Sequence, residues 1–391
     1  MSILLKDFHT IFQDFNVLKL LPFLIMIFIY RYKLLMDFLY EEVTDMTGKE
    51  RFYATIERKA TDRPAVWMSA PAPSAEKGIY SLYRVDNWHD LQIKAGDDLY
   101  AFDIPYDSGY ATSIAVAFNW YEKGTNVDPQ HRTLTADGCF KDAEELSDLD
   151  FFEWPDPALY IDVEECRRRC QRAPRDRATL AQVWSAHFQD TCAAFGMETA
   201  LMNMVSNPEI YKAVDAKILD FYLKANEIIY EATKGYLDSI IIANDFGSQL
   251  GLLISREMIH EFVMPGARKL VEQAHSYGLK VIYHSCGAIY DAIEELIAIG
   301  VDAIHPIQAT ATGMDPGRLK ADFGDRVAFC GGVDIQHLLP TGTPKEVQDK
   351  VRELRETFPT GLVISPSQGV FLDDVPPENI KAMLEEAEKI Y

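Results

Sequence analysis

The residues of this chain best suited to chemistry are a histidine and a cysteine two positions apart, His284 and Cys286. They follow the apolar run 281–283, which is typical of a buried β-strand. Both side chains should then lie at the carboxyl end of a sheet, where α/β proteins place their active sites. A neutral imidazole and a thiolate suit Zn²⁺ better than Mg²⁺ or Ca²⁺, which prefer oxygen ligands. The pair therefore predicts a zinc site, provided that further ligands lie nearby.

The elements that would position this pair form a regular pattern from about residue 180 onward. Strand-like runs alternate with helical patterns, and a long helix is predicted from Pro208 to Lys234, with Asn207 as its cap and Gly235 at its end. Such alternation indicates parallel strands joined by crossover helices. The predicted strands are 180–186, 239–243, 281–283, 303–304, 327–329 and 362–364.

Most of these strands end in polar or small residues, which favours a (β/α)₈ TIM barrel with its catalytic groups on the loops after the strands. An open doubly wound sheet is the alternative. Neither GxGxxG nor GxxxxGK[ST] occurs, so no nucleotide-binding loop is predicted. The first strand is predicted at 65–68. The irregular region 67–160 is predicted to hold a long insertion over the barrel mouth.

Composition and charge limit the classes of partner. The chain has 391 residues, 48% of them apolar and 12% aromatic, which is ample for one large barrel or for two ordinary domains. Its net charge of −22 argues against nucleic acid and against an anionic membrane, since both require a basic surface. Six scattered cysteines indicate a reduced, cytoplasmic protein. Three arginines separate Cys166 from Cys170, which indicates a solvated helical segment.

Residues 1–45 are interpreted as an N-terminal extension that precedes the barrel domain at 46–391. The apolar run Leu20–Tyr30 is shorter than the ~20 residues needed to cross a bilayer, and no small-residue cleavage site of a signal peptide follows it. The extension is expected to reflect a start codon assigned too early. An amphipathic anchor for a membrane or a partner is the alternative.

Several motifs resemble those of the uroporphyrinogen decarboxylase-like superfamily, over about residues 46–391. The resemblance implies a (β/α)₈ barrel with its site at the carboxyl face. Decarboxylases of this kind hold a many-carboxylate tetrapyrrole with arginines after the first strand, but residues 66–73 contain none. Because unpaired buried charges cost several kcal/mol, that reaction is not expected here. The motifs are Asn244–Gln249, His284–Gly287, Gly331–Asp334, Gly342–Val347 and Pro376–Ile380.

The other branch of the superfamily comprises zinc-dependent methyltransferases, which move a methyl group from a methylated corrinoid protein to a thiol such as coenzyme M. Their His-x-Cys signature matches His284 and Cys286, which implies one Zn²⁺ per chain that ionises the acceptor thiol. Their third ligand, a cysteine after the last strand, aligns with Gln368, a poor zinc ligand. Cys330, one βα unit earlier, is the predicted replacement. Donors at neighbouring strand ends remain as alternatives: Asp245, His305 and Asp334.

The predicted function is methyl transfer between a corrinoid protein and a thiol or related small acceptor, with Asp245, His284 and Cys286 as catalytic residues. The chain lacks an Asp-x-His-x-x-Gly cobalamin segment, so cobalamin is expected to arrive on the partner protein. A metal-independent decarboxylase or lyase acting on a small carboxylic acid, and a non-catalytic binding relative, are the alternatives. A homodimer is left open. The residues expected to contact substrate are His187, Asp245, His305, Asp334, Gln336 and Gln368.

Overall fold

The computed structural model describes residues 46–105 and 136–390, and its centre is a sheet of eight parallel strands. These strands are β1 (Ala65–Val66), β3 (Leu99–Asp103), β4 (Ala178–Trp184), β5 (Ser239–Ala243), β6 (Lys280–His284), β7 (Ala303–Ile307), β8 (Ala328–Val333) and β9 (Leu362–Pro366). Their spatial order is β1-β9-β8-β7-β6-β5-β4-β3. A short second sheet pairs β2 (Ala70–Pro71) with β10 (Val370–Phe371) in parallel.

Helices connect these strands in the described part of the chain. They are α1 (Gly48–Ile56), α2 (Pro73–Tyr83), α3 (Trp88–Ala95), α4 (Val163–Gln171), α5 (His187–Phe195), α6 (Met197–Ser206), α7 (Pro208–Ala232), α8 (Arg256–Met258), α9 (Met264–Ser276), α10 (Ile293–Ala298), α11 (Pro316–Phe323), α12 (Leu338–Thr341), α13 (Pro344–Thr357) and α14 (Pro377–Ala387). Shorter helical turns span Leu146–Leu149, Pro157–Leu159, Ile259–Val263 and Tyr290–Ala292.

Helix starts follow local capping chemistry. α13 begins with a capping box, in which Thr343 and Glu346 satisfy each other's backbone N–H groups and Pro344 occupies the first helical position. α7 also begins at the predicted proline, but the side chain of Asn207 makes no capping bond. Its amide instead donates to the carbonyl of Glu144 at 2.9 Å, so the predicted cap was wrong although the helix start was right.

The barrel closes between β1 and β3 through one side-chain and one backbone hydrogen bond rather than through a regular ladder. The N–H of Val66 donates to the Asp98 carboxylate at 2.9 Å, and the N–H of Asp98 donates to the Val66 carbonyl at 3.0 Å. Arg51 of α1 and Arg63 bind the same carboxylate at 2.6 and 2.7 Å. A buried ion-pair network therefore holds the first strand in place.

Alternate residues of the strands fill the barrel interior with a cluster distinct from the core beneath the helices. Phe52 and Ile56 of α1 belong to this interior cluster and cover the end of the barrel from which α1 approaches. The interior becomes polar toward the carboxyl ends of the strands, so these polar side chains are the ones able to meet a ligand. The buried polar residues there include Gln182, His284, His305 and Ser365.

The predicted (β/α)₈ barrel is confirmed. Region 67–160 is more regular than expected, because it contributes β3 as the second barrel strand, with α2 and α3 before it. Residues 106–135 of the predicted insertion, and the predicted extension 1–45, lie outside the described residues. Cys166 and Cys170 are buried rather than solvated. In the described ranges no helix combines the length and the apolar character needed to cross a bilayer.

Candidate active site

Neighbouring strand ends bring the predicted site residues together. Asp245 is the second residue after β5, His284 is the last residue of β6, and Cys286 lies in the loop that follows. The sheet register pairs Ala243 with His284, and His284 with His305. Because side chains alternate along a strand, Asp245 points into the barrel mouth from the same side as His284.

Asp245, His284 and Cys286 form a compact cluster. The Nε2 atom of His284 lies 3.3 Å from the Cys286 sulfur and 3.6 Å from a carboxylate oxygen of Asp245. The backbone N–H of Cys286 donates to the same oxygen at 2.8 Å, which fixes the carboxylate against the loop. Over residues 46–105 and 136–390, this is the group of three histidine, cysteine or acidic side chains whose ligand atoms lie within 4.8 Å of one another.

The donor set and its spacing fit Zn²⁺. Ligand distances of ~2.0–2.3 Å in a tetrahedral zinc site place its donors about 3.4–3.6 Å apart, close to the two separations measured from His284 Nε2. One nitrogen, one sulfur and one oxygen are ligands that zinc accepts and that Mg²⁺ or Ca²⁺ would not favour. Three protein ligands leave a fourth position for substrate, as in catalytic rather than structural zinc sites.

His284 is oriented by a second histidine. Its Nδ1 atom lies 2.8 Å from Nδ1 of His305, so one of these nitrogens carries the shared hydrogen. Burial lowers the pKa of both imidazoles, and His284 lowers that of His305 further, so both rings are neutral. When His284 donates from Nδ1, its Nε2 lone pair faces Cys286 and Asp245, which is the tautomer that can bind a metal.

The Cys286 thiol is protonated without a bound cation. Burial, together with the charge of Asp245, raises its pKa to about 12. The thiol donates to the side-chain oxygen of Gln368, with the sulfur 3.8 Å from that oxygen. A divalent cation bound here would favour the thiolate form of Cys286 over the thiol, because a coordinated thiol is deprotonated. Gln368, the residue that the resemblance aligns with the third ligand of the zinc-dependent methyltransferases, thus contacts the Cys286 thiol.

Side chains that the sequence analysis did not select complete the walls. The indole of Trp184 meets the His284 ring edge-on, with centroids 5.6 Å apart. A Cβ atom added to Gly369 would lie 3.5 Å from that indole and 3.9 Å from the imidazole, so the loop after β9 passes directly over the site. The amide of Gln189, in the first turn of α5, donates to the other oxygen of Asp245 at 3.3 Å. The sequence could have indicated Gln189 as a site residue, because it is a polar residue in the first turn of the helix that follows a barrel strand.

Cys330 and His187 lie apart from the cluster. The Cys330 thiol is fully buried in the barrel interior, where burial strongly raises its pKa, and it is not a member of the three-residue group. His187 is also fully buried and bonds through Nδ1 to Asp215 of α7 at 2.7 Å. A Cβ atom added to Gly266 of α9 would lie 2.6 Å from the His187 ring, so this imidazole is packed among helices.

Asp334 and Gln336 belong to the loop after β8. The Asp334 carboxylate accepts hydrogen bonds from the backbone N–H groups of Gln336 at 2.8 Å and Leu338 at 3.2 Å, so it shapes the turn before α12. Gln336 is exposed and accepts a hydrogen bond from the Thr310 hydroxyl at 2.8 Å. The structure therefore places both in a loop of the carboxyl face, while Asp245 belongs to the cluster and His305 and Gln368 contact it directly.

Comparison with known proteins assigns the family. The model described as uroporphyrinogen decarboxylase (URO-D) matches residues 136–390. The chain belongs to the uroporphyrinogen decarboxylase family. A methylcobamide:CoM methyltransferase, MtbA of Methanosarcina acetivorans, is 21% identical over 357 residues, which cover 88% of this chain and 98% of the relative.

Two further relatives are similar. A methylated-thiol–coenzyme M methyltransferase of Methanosarcina mazei is 27% identical over 132 residues, covering 33% of this chain and 32% of the relative. The solved structure of a methyltransferase from Methanosarcina mazei superposes with a TM-score of 0.66 at 15% identity, over 88% of this chain and 99% of that one. At this identity the structural likeness shows the fold.

Proposed function

We propose that this protein is a zinc-dependent methyltransferase that moves a methyl group between a corrinoid protein and a thiol or related small acceptor. The observation that carries the proposal is the cluster of Asp245, His284 and Cys286, whose nitrogen, oxygen and sulfur donors lie within 4.8 Å of one another at the carboxyl end of the barrel. The names of the two curated relatives support methyl transfer at the level of the family.

The metal would be held by His284 Nε2, the Cys286 thiolate and an oxygen of Asp245. Asp245 is the preferred third donor, since it contacts both other ligands, whereas Cys330 lies outside the group. Bound there, Zn²⁺ supplies the positive charge that keeps Cys286 and an acceptor thiol ionised at neutral pH. The cobalamin would come on the partner protein.

The remaining contacts hold these ligands in place. His305 accepts the Nδ1 hydrogen of His284 and keeps the opposite nitrogen free for coordination. Gln189 and the backbone of Cys286 each bind one oxygen of the Asp245 carboxylate. Trp184 and the loop after β9 cover the imidazole and limit access of water. An ordered ligand set of this kind is what a catalytic metal site requires.

Metal analysis of the purified protein tests the proposal. We expect about one zinc per chain, lost in Cys286→Ala and in Asp245→Ala. Cys330→Ala is the matched control, because it removes a buried thiol of the same barrel without touching the cluster. Retention of zinc by Asp245→Ala together with its loss from Cys330→Ala would move the third ligand to Cys330.

Activity separates an enzyme from a binding relative. Zinc-loaded protein should transfer the methyl group of methylcobalamin to small thiols, and Cys286→Ala should not. The metal-independent decarboxylase or lyase alternative requires instead that the protein be purified free of zinc and remain active in the presence of a chelator. Stoichiometric zinc without methyl transfer to any thiol would contradict the proposal.

A further inference from the structure

The charge of the barrel mouth bears on which thiol can be the acceptor. Within the cluster, burial lowers the pKa of His284 and raises that of Cys286, and Asp245 is the charged group whose field acts to raise both. The other described side chains that contact the cluster are a tryptophan, a histidine and two glutamines, and none is a lysine or arginine. An anionic substituent beside a bound thiolate would therefore lack a cationic partner among these contacts.

A second carboxylate faces the same space. Asp103 is the last residue of β3, and the alternate residues Leu99 and Ala101 point into the barrel, so Asp103 does as well. Burial raises the pKa of Asp103 although the side chain reaches solvent. As the last residue of β3, Asp103 lies at the carboxyl end of the strand, where the barrel opens.

An unpartnered amide lies next to this carboxylate. Gln182 of β4 is the register partner of Asp103 and is only 5% exposed, and its Nε2 atom has no hydrogen-bond partner among residues 46–105 and 136–390. Leu180 points into the barrel, so Gln182 does too. A buried N–H group without an acceptor indicates that a polar atom of a ligand or a water completes it.

Both side chains come from the strands that lie next to those of the metal cluster. β3 and β4 precede β5 and β6 in the sheet order, and the interior of an eight-stranded barrel is only wide enough for side chains to meet. The cation that acts on Asp103 is Arg169, and its guanidinium is already bound by Glu165 at 3.0 Å and by the Asp103 carbonyl at 2.8 Å. It is therefore engaged outside the barrel mouth.

We infer that the site selects a thiol whose far end is neutral or cationic, and disfavours a thiol that ends in a sulfonate or carboxylate. This inference rests on the proposed function, since the thiol is placed at the metal. A hydroxyl or ammonium group can donate to Asp103, and a hydroxyl can also accept from Gln182. A sulfonate would meet the Asp103 charge and the metal-bound thiolate, with no lysine or arginine among the described side chains that contact the cluster to balance them.

Three thiols that differ only in their terminal group provide the test: 2-mercaptoethanol, cysteamine and 2-mercaptoethanesulfonate (coenzyme M). Binding to the zinc-loaded protein is measured by calorimetry. We expect the neutral and cationic thiols to bind at least tenfold more tightly than coenzyme M. Because the thiols differ in intrinsic acidity, the selectivity ratio is compared between the wild type and Asp103→Asn, in which it should shrink at least threefold.

Asp325→Asn is the matched control, because this side chain is 99% exposed on the loop before β8 and should leave the ratio unchanged. Coenzyme M binding as tightly as the other two thiols would overturn the inference and leave the proposed function intact. So would an unchanged ratio in Asp103→Asn. If the zinc-loaded protein binds none of the three thiols, the proposed function fails and the inference with it.

Discussion

The contact between His284 and His305 gives the sharpest prediction for the metal site. In the metal-binding tautomer His284 carries its hydrogen on Nδ1, and His305→Leu removes the acceptor of that hydrogen, 2.8 Å away in a buried environment. A buried donor left unsatisfied costs about 1–3 kcal/mol. The imidazole can avoid that cost by moving its hydrogen to Nε2, where it points at Cys286 and Asp245 and competes with the metal.

The expected result is a weaker zinc site in a protein that still folds. An orienting partner of a metal-bound histidine is worth about 10–100-fold in metal affinity, and 1–3 kcal/mol corresponds to about the same range. Zinc affinity is measured by competition with a chromophoric chelator. The tautomer of His284 is measured from the imidazole nitrogen chemical shifts of the metal-free, ¹⁵N-histidine-labelled protein. In His305→Leu the metal-binding nitrogen, Nε2, should gain a hydrogen.

His305→Asn is the matched variant, because its amide oxygen replaces Nδ1 as an acceptor at nearly the same place. It should recover most of the affinity that His305→Leu loses, although both substitutions shorten or reshape the same buried side chain. Equal loss in both variants would mean that His305 acts by filling space. Wild-type zinc affinity in His305→Leu would refute the orientation argument altogether.

The other predictions concern stability and access. Burial raises the pKa of Asp97 well above its usual value, so the wild-type free energy of unfolding should fall as pH rises above about 4. Asp97→Asn should remove that pH dependence. At pH 8 the variant should have the larger free energy of unfolding in urea, by on the order of 1 kcal/mol. Arg51→Met breaks the buried pair with Asp98 and should cost about 3–5 kcal/mol in urea unfolding, and a loss below 1 kcal/mol would contradict this. Gly369→Ala should keep thiol binding, since its Cβ makes ordinary contacts, whereas Gly369→Leu should extend past Trp184 and abolish binding without loss of zinc. Equal binding by both Gly369 variants would show that the loop does not cover the site.

The sequence is sufficient for the barrel and for His284 and Cys286, two of the three residues of the cluster, because both are local signals. Strands β5 to β9 are short apolar runs that end in polar residues, and helices separate them. His284 and Cys286 are two residues apart on one such end, so no tertiary information is needed to bring them together. β3 was missed because Leu99–Asp103 lies in a region rich in aromatic, acidic and proline residues, where a single apolar run is not distinctive.

The choice among the candidate third donors, which included Cys330 and Asp245, could not be made from the sequence because it depends on barrel stagger. Cys330 does point inward, as one of the two orientations allowed by strand alternation. Its register partner is Val363, an apolar interior residue, whereas Gly332 pairs with Ser365 nearer the mouth. Cys330 therefore lies one inward position deeper than the rim. The relative shift of neighbouring strands determines which inward residue reaches the rim. The sequence of a single strand does not specify that shift.

His187 shows a second limit of local reasoning. The strand was predicted to run to 186, which would have placed His187 at the mouth. Instead β4 has a register shift between Gln182 and Trp184, and Trp184 and Ser185 adopt φ values of 57° and 49°. Non-glycine residues rarely adopt this left-handed conformation, so a tryptophan followed by a serine does not predict it. The chain turns there, and α5 begins with His187 facing Asp215.

Asp245 links the proposed metal site to the proposed acceptor preference. An aspartate in place of a thiolate ligand keeps the same formal charge, so His284, Cys286 and Asp245 would still neutralise a divalent cation. A bound acceptor thiolate then adds one net negative charge, which the neutral imidazoles and amides around it do not balance. The same ligand set that fits zinc therefore makes the mouth unfavourable for a second anion. The reason for any departure from the coenzyme M acceptor named for the relatives should thus be sought on the neighbouring strands, at Asp103 and Gln182, rather than at the metal.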